Sequence, residues 1–340
     1  MNKILVTGGL GYIGSHTVVA LQNAGYEVII IDDCSNSEED FLDRIISITN
    51  TKPTYFNIDL KKEEEVKTFF QNNKINGIIH FAAYKAVGES VQKPLMYYRN
   101  NLVGLINILE AMEEFNTNNI IFSSSCTVYG QADQMPIDEK TPLKRPESPY
   151  GKTKQMGEEI LEDFANISGK NVICLRYFNP VGAHESAKIG ELPKGIPNNL
   201  VPYVTQTAAG VRECLSVWGD DYPTRDGTAI RDYIDVNDLA DAHVKAITRL
   251  LENKNKTNVE FFNLGTGTGS TVLEVVNAFQ EANDLKINYQ IQGRREGDIV
   301  EAYANNTLAK TVLGWEPKVS LETSLKNSWK WEQNLRAENN

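Results

Sequence analysis

Tyr150 and Lys154 stand four residues apart in the run Ser148-Pro149-Tyr150-Gly151-Lys152-Thr153-Lys154. On a helix that spacing sets a phenol and an ammonium side by side on one face. A free phenol has a pKa of about 10 and is a poor base near neutral pH. A neighbouring cation stabilises the phenolate and lowers that value, which makes the phenol usable in acid–base chemistry. In a chain with 14 tyrosines, a Tyr-x-x-x-Lys arises by chance about once, so the pair takes its meaning from the elements that position it.

The first of those elements is a glycine turn. Lys3-Ile4-Leu5-Val6-Thr7 reads as a short apolar strand. Gly8-Gly9-Leu10-Gly11-Tyr12-Ile13-Gly14 follows, then an apolar helical pattern to about Ala24. A strand that turns sharply into a helix through glycines lets the backbone touch a pyrophosphate, with the helix N-terminus facing the anion. The next strand, 27–31, ends on Asp32, about 20 residues beyond Gly14, where an acid hydrogen-bonds the ribose hydroxyls of a dinucleotide. Asp33 is the alternative for that role. A carboxylate here repels a 2′-phosphate, which favours NAD over NADP. Asp59, after the apolar Tyr55-Phe56-Asn57-Ile58, is either a group at the adenine end or a strand-end cap.

Further apolar strands at 77–81, 118–122 and 172–177 alternate with helical patterns such as 95–115 and 151–167. That rhythm predicts an α/β fold with a doubly wound, parallel, Rossmann-type sheet over residues 1–179. Ligands of such sheets sit beyond the carboxyl ends of the strands. Lys85, Ser125 and Asn179 fall near such ends, within reach of the helix-borne Tyr150. From about residue 180 the rhythm breaks, and Pro and Gly cluster at 180–202 and 219–227. A smaller mixed α/β C-terminal domain is expected over 180–340, with helices at 237–252, 270–283 and 321–334. A strand at 259–263, inside a stretch of about 235–265, is expected to rejoin the large sheet. The polar tail 336–340 is expected to fray.

The 340 residues are 41% hydrophobic, enough for one large or two smaller cores. The net charge of −11 argues against sequence-independent binding to nucleic acid or an anionic membrane. Cys34, Cys126, Cys174 and Cys214 are scattered without metal or disulfide spacing, and the four histidines lie far apart. The chain opens on a strand with no basic-then-apolar leader, and no apolar run approaches a membrane span. It is expected to be soluble and cytoplasmic.

The set Thr7-Gly8-x-x-Gly11-x-x-Gly14, Ser125 and Tyr150-x-x-x-Lys154 resembles the extended short-chain dehydrogenase/reductases. Longer runs narrow the resemblance to the UDP-glucose 4-epimerase family: His80–Ser90, Arg176–Ala183, Gly195–Leu200, Thr228–Leu239 and Arg294–Asp298. The likeness covers essentially the whole chain. It implies reversible, NAD-dependent inversion of UDP-glucose and UDP-galactose at sugar C4, through a 4-keto intermediate that turns over in the site. By resemblance, Tyr150 is the acid–base group, Lys154 lowers its pKa and holds the nicotinamide ribose, and Ser125 bonds the reacting hydroxyl. Gly8, Gly11, Tyr12, Ile13, Gly14, Asp32, Asn36, Ser37, Asp59, Leu60, Phe81, Ala82, Lys85, Asn100 and Phe178 match the family's NAD contacts. Asn179, Asn199, Leu200, Arg231, Tyr233, Arg295 and Asp298 match its UDP-sugar contacts, and arginines suit bidentate contact with a diphosphate. Arg231 has an alternative partner in the neighbouring Asp232, and Trp218 is either core or a wall beside the uracil. The family also implies a homodimer built on the helices after Pro94 and Pro149.

One departure bears on the substrate. Family members restricted to glucose and galactose carry a bulky tyrosine where this chain aligns Ala302, one residue before Tyr303. A small residue there implies room for an N-acetyl group, hence turnover of UDP-GlcNAc and UDP-GalNAc as well. The rival readings are a nucleotide-sugar 4,6-dehydratase, a uronic-acid epimerase and a non-catalytic NAD-binding regulator. Dehydratases carry Asp-Glu after the Ser/Thr, where this chain has Cys126-Thr127. Regulators usually lack the tyrosine–lysine pair, which this chain retains.

Overall fold

The computed structural model of the chain describes residues 1–295 and 298–338. Glu296 and Gly297 of the Arg294–Asp298 run, and Asn339 and Asn340 of the tail, lie outside the described residues. Six apolar segments form the parallel strands β1 (Lys3–Thr7), β2 (Glu27–Ile31), β3 (Thr54–Phe56), β4 (Gly77–His80), β5 (Asn119–Ser125) and β6 (Asn171–Tyr177). Val259–Leu264 lies parallel beside β6, giving a seven-stranded sheet in the order 259–264, β6, β5, β4, β1, β2, β3. The order reverses between β1 and β4, the place where a doubly wound sheet opens a crevice for a ligand.

Burial on both faces explains the near-continuous apolar strands. Alternate residues point to opposite sides, so Ile4, Val6 and Ile30 enter one core with Val18, Leu239 and Ile247. Leu5, Ile29 and Ile31 enter the other with Phe69, Leu105, Ile108 and Leu161. A third core, including Val204, Val217, Val275, Phe279 and Leu325, belongs to the C-terminal half. There the elements are short: parallel pairs join Asn179–Val181 to Tyr233–Asp235 and Leu215–Trp218 to Tyr289–Gln292. Ile230–Arg231 is the middle strand of a three-stranded sheet, between Ser270–Thr271 and Glu301–Ala302.

The helix that carries Tyr150 runs from Pro149 to Ser168. Ser148 caps it by accepting from the Gly151 amide (3.2 Å), Pro149 occupies the first turn, and Gly169 ends it in a left-handed conformation. The helical pattern at 95–115 is less regular than expected. Pro94–Tyr98 and Gly104–Glu114 are α-helical, but Arg99–Val103 between them is wound as a π-helix. Asn100 sits in that wider turn, a form that often marks a functional position. Among the described residues, no helix is long and apolar enough to cross a membrane.

Candidate active site

The glycine turn is shaped for close contact. A Cβ on Gly14 would lie 2.1 Å from the Gly8 carbonyl oxygen, and one on Gly8, whose φ is +70°, would lie 2.8 Å from the Ala82 amide across the crevice. Only glycine fits either place. Gly11 precedes the helix Tyr12–Asn23 without any side-chain cap, which leaves the first-turn amides at Tyr12 and Ile13 to a ligand. The Tyr12 side chain turns the other way: its hydroxyl, deeply buried, donates to the Gly182 carbonyl (2.7 Å). At the end of β2 the two aspartates differ in setting, and Asp32 is the one joined to the glycine turn. It is buried, accepts from the Leu10 amide inside the glycine turn (3.0 Å) and from the Ser37 hydroxyl (2.7 Å), and burial raises its carboxyl while Ser37 opposes the rise. Asp33 bonds only Ser35 of its own turn among the described residues, and Asn36 is exposed beside it. This cradle and its buried acid fit NAD.

Farther along the crevice, Asp59 accepts from the Lys61 amide (3.0 Å) and pairs with the Lys61 ammonium (2.8 Å). Burial raises its carboxyl, but Lys61 outweighs that and holds it below the usual range. Lys61 also donates to Asn100 (2.9 Å), so Asp59 and Asn100 share one cation. Leu60 is buried, and the Phe81 ring packs 4.7 Å from His243. Lys85 makes a salt bridge to Glu191 (2.8 Å), and the same oxygen of Glu191 accepts from Asn199 (2.7 Å), the residue before the helix Leu200–Ala208. A residue from each half of the chain thus meets on Glu191, which sequence reasoning missed because a lone glutamate in a loop has no distinguishing pattern.

Ser125 ends β5 and its hydroxyl accepts from the Thr127 amide (3.2 Å). Burial pushes the Tyr150 phenol up to about 12, a rise that the hydrogen bond from Ser125 opposes and Cys126 adds to. Lys154 lies one turn on, its ammonium 5.9 Å from the centre of the Tyr150 ring. That ammonium donates to the Ser123 carbonyl (2.5 Å), and burial pushes it down to about 7. In the protein alone burial is the largest influence on both groups, and the lysine is tied to the end of the sheet.

Some of the residues expected on the substrate side lie near Arg231, whereas Asn199 meets Glu191 instead. Its guanidinium lies 3.8 Å from Asp298, which also pairs with Arg295 (2.8 Å). The alternative pairing with Asp232 does not occur. Asp232 is fully buried and accepts from the amides of Thr266, Gly267 and Ala304. Arg231 acts on the Cys126 thiol, which burial pushes up to about 12 against the arginine's pull, and in the same way on the Tyr233 phenol, also near 12. Ala302 pairs with Arg231 across the small sheet and is buried in a cluster with Phe178, Val128 and Ala304, against which Cys126 and Ile299 pack. Tyr303 faces the opposite side, toward Gly269. Asn179 follows Phe178 at the end of β6, its amide bonded to the Asp232 carbonyl (2.9 Å). Trp218 is 44% exposed at the end of Leu215–Trp218, so it is not a core residue.

A family model described as GDP-mannose 4,6 dehydratase matches residues 5–328. The UDP-glucose 4-epimerase of Bacillus subtilis (strain 168) is 51% identical over 97% of this chain and 96% of its own length. The UDP-glucose 4-epimerase of Mus musculus is 46% identical over 98% and 97%. The chain belongs to this dehydratase-named family and, within it, to the UDP-glucose 4-epimerases. Among solved epimerases, that of Stenotrophomonas maltophila, with bound NAD and formylated UDP-arabinopyranose, superposes with a TM-score of 0.96 at 42% identity, covering 99% of this chain and all of that one. The epimerase of Bifidobacterium longum, in complex with NAD+ and UDP, gives 0.94 at 44% identity over 98% of each chain. The doubly wound sheet is the fold of these epimerases.

Proposed function

We propose that this chain inverts the sugar C4 of UDP-glucose and UDP-galactose reversibly with a retained NAD, as its epimerase relatives are named to do. The meeting of Ser125, Tyr150 and Lys154 at the carboxyl ends of the parallel strands, with Arg231 beside them, carries this reading. Gly8, Gly11 and Gly14, the amides of Tyr12 and Ile13, and Asp32 would hold the dinucleotide, with Asn36, Ser37, Asp59, Leu60, Phe81, Ala82, Lys85, Asn100 and Phe178 along its length. When bound, NAD supplies a hydride acceptor and donor at C4 and a positive charge beside the phenol. That charge, with the Lys154 ammonium, would lower the Tyr150 phenol, which burial holds near 12 in the protein alone. Tyr150 removes the proton of the 4-hydroxyl while Ser125 holds that oxygen, and gives the proton back to the same oxygen once the 4-keto sugar has turned its other face to the site.

The turn demands that the UDP be held firmly and the sugar loosely. Asn179, Asn199, Leu200, Arg231, Tyr233, Arg295 and Asp298 are read as the nucleotide grip, with Trp218 as an exposed wall for the base. Residues 1–179 with about 235–265, and 180–340, are read as the NAD and UDP-sugar domains. The buried position of Ala302 beside Cys126 and Phe178 supports a sugar pocket that also admits N-acetylhexosamines. A homodimer is supported by Leu95, Val103 and Ile106, apolar and exposed at 81%, 36% and 39% on the helical stretch after Pro94. A cytoplasmic location is part of the same reading.

Side-by-side assays test these points. The purified protein should carry NAD and convert UDP-galactose to UDP-glucose, and it should also turn over UDP-GalNAc. Turnover of the hexose with none of the N-acetyl sugar refutes the wide pocket alone.

A further inference from the structure

Behind Tyr150 and Lys154 lies a buried ion pair that the reaction outlined above does not use. Glu158 follows Lys154 by one turn, as Lys154 follows Tyr150, so the three line one face of the helix. Its side chain is 2% exposed and that of its partner Arg176, on β6, 5%. The arginine grips both carboxylate oxygens, Nε to Oε1 at 2.9 Å and Nη2 to Oε2 at 2.7 Å. The Ser124 hydroxyl donates to Oε1 as well (2.5 Å). Arg176 is itself fixed: it donates to the Tyr129 hydroxyl (2.9 Å), which donates to Asn263 (2.7 Å), and it lies 4.5 Å over the Phe261 ring. A buried ion pair adds little stability over well-packed apolar residues, so one this well anchored asks for another use.

We propose that Glu158 is a positioning residue of the reaction: fixed by Arg176 and Ser124, it keeps the buried Lys154 ammonium charged beside Tyr150. This rests on the reading of Lys154 as the partner of Tyr150. Among the described residues, the groups around Lys154 leave no other source of negative charge. From β4 comes His80, which burial keeps neutral near 3. From β5 come the Ser123 carbonyl and the Phe122 ring, 4.9 Å away. From β6 come Cys174, kept protonated by burial, and Arg176, already bound to Glu158. On the helix itself stand the protonated Tyr150 and Glu158. Burial pushes Lys154 down to about 7, and Glu158 is the largest influence opposing that fall.

The test is the pH profile of kcat, with bound NAD and KM for UDP-galactose measured alongside, for the parent, Glu158→Gln, Glu158→Asp and Lys154→Met. Removing the charge in Glu158→Gln should move the alkaline descent of kcat down by about one pH unit, leaving about a tenfold loss near pH 8 that acidification recovers, with KM unchanged. Glu158→Asp, which keeps the charge one methylene farther back, should lie between, and it serves as the test if the glutamine variant does not fold. An unmoved descent in the folded variants, or a loss uniform across pH with a lowered Tm, overturns the role of Glu158. Near-parent turnover in Lys154→Met overturns the reading of Lys154 itself.

Discussion

A phenol that burial holds near 12 is a poor base near neutral pH unless positive charge stands beside it, and Tyr150 is such a group. The hydroxyl of Ser125 opposes the rise. Tyr150→Phe keeps the ring and removes the oxygen. It should lower kcat by about 10²–10⁴-fold while the NAD content, measured after denaturation, stays at the parent level. Ala302 packs with Cys126 and Phe178, whereas Tyr303 faces Gly269, so on the proposed reading Ala302 is the one that sets the width of the sugar pocket. Ala302→Tyr should abolish turnover of UDP-GalNAc while UDP-galactose loses less than about tenfold, read by comparing kcat/KM for the two sugars.

Among the elements, the turn from β1 into the first helix has the least tolerance. Gly14→Ala drives a methyl group against the Gly8 carbonyl, and the turn must open to relieve it. Overpacking of this kind costs about 1–3 kcal/mol, and the loss falls on the surface that meets the pyrophosphate. The variant should be purified with much less NAD than the parent, measured by absorbance of the released nucleotide. This turn, its strand and Asp32 were legible in the sequence because glycines, an apolar run and an acid at fixed spacing answer to local geometry alone. The Arg231–Asp298 contact was not: it joins distant segments, and the sequence offered only the adjacent Asp232 as an alternative partner. Only the fold shows Asp232 consumed by three backbone amides. Glu158, Arg176 and Glu191 were not legible, since their partners come from neighbouring strands and loops rather than from any repeat. The burial of Tyr150 and Lys154 was hidden for the same reason: pair spacing says nothing of how deep a pair lies.

Taken whole, the chain hides three histidines that stay neutral. Burial holds His16 and His80 near 3 and His243 near 4, against an ordinary value of 6.5. Below 6.5 the unfolded chain therefore binds protons that the folded one refuses, and stability, full above that pH, falls as pH drops toward 4. Each such group withdraws about 2 kcal/mol by pH 5. The buried Asp32, Asp232 and Asp235, raised above the usual carboxylate range, pull the other way nearer pH 4. Thermal unfolding should show Tm declining steadily from pH 7 to pH 5, and a flat Tm over that range would contradict the neutral burial of the histidines. The central claim, that one bound NAD serves an oxidation reversed within each turnover, is met most directly by a single time course. UDP-galactose is given to the purified protein with no NAD added, and the products are followed by proton NMR. Many turnovers to an equilibrium mixture of UDP-glucose and UDP-galactose are expected, with no net reduced cofactor. Conversion that stops at one turnover, or a product other than the C4 epimer, would contradict it.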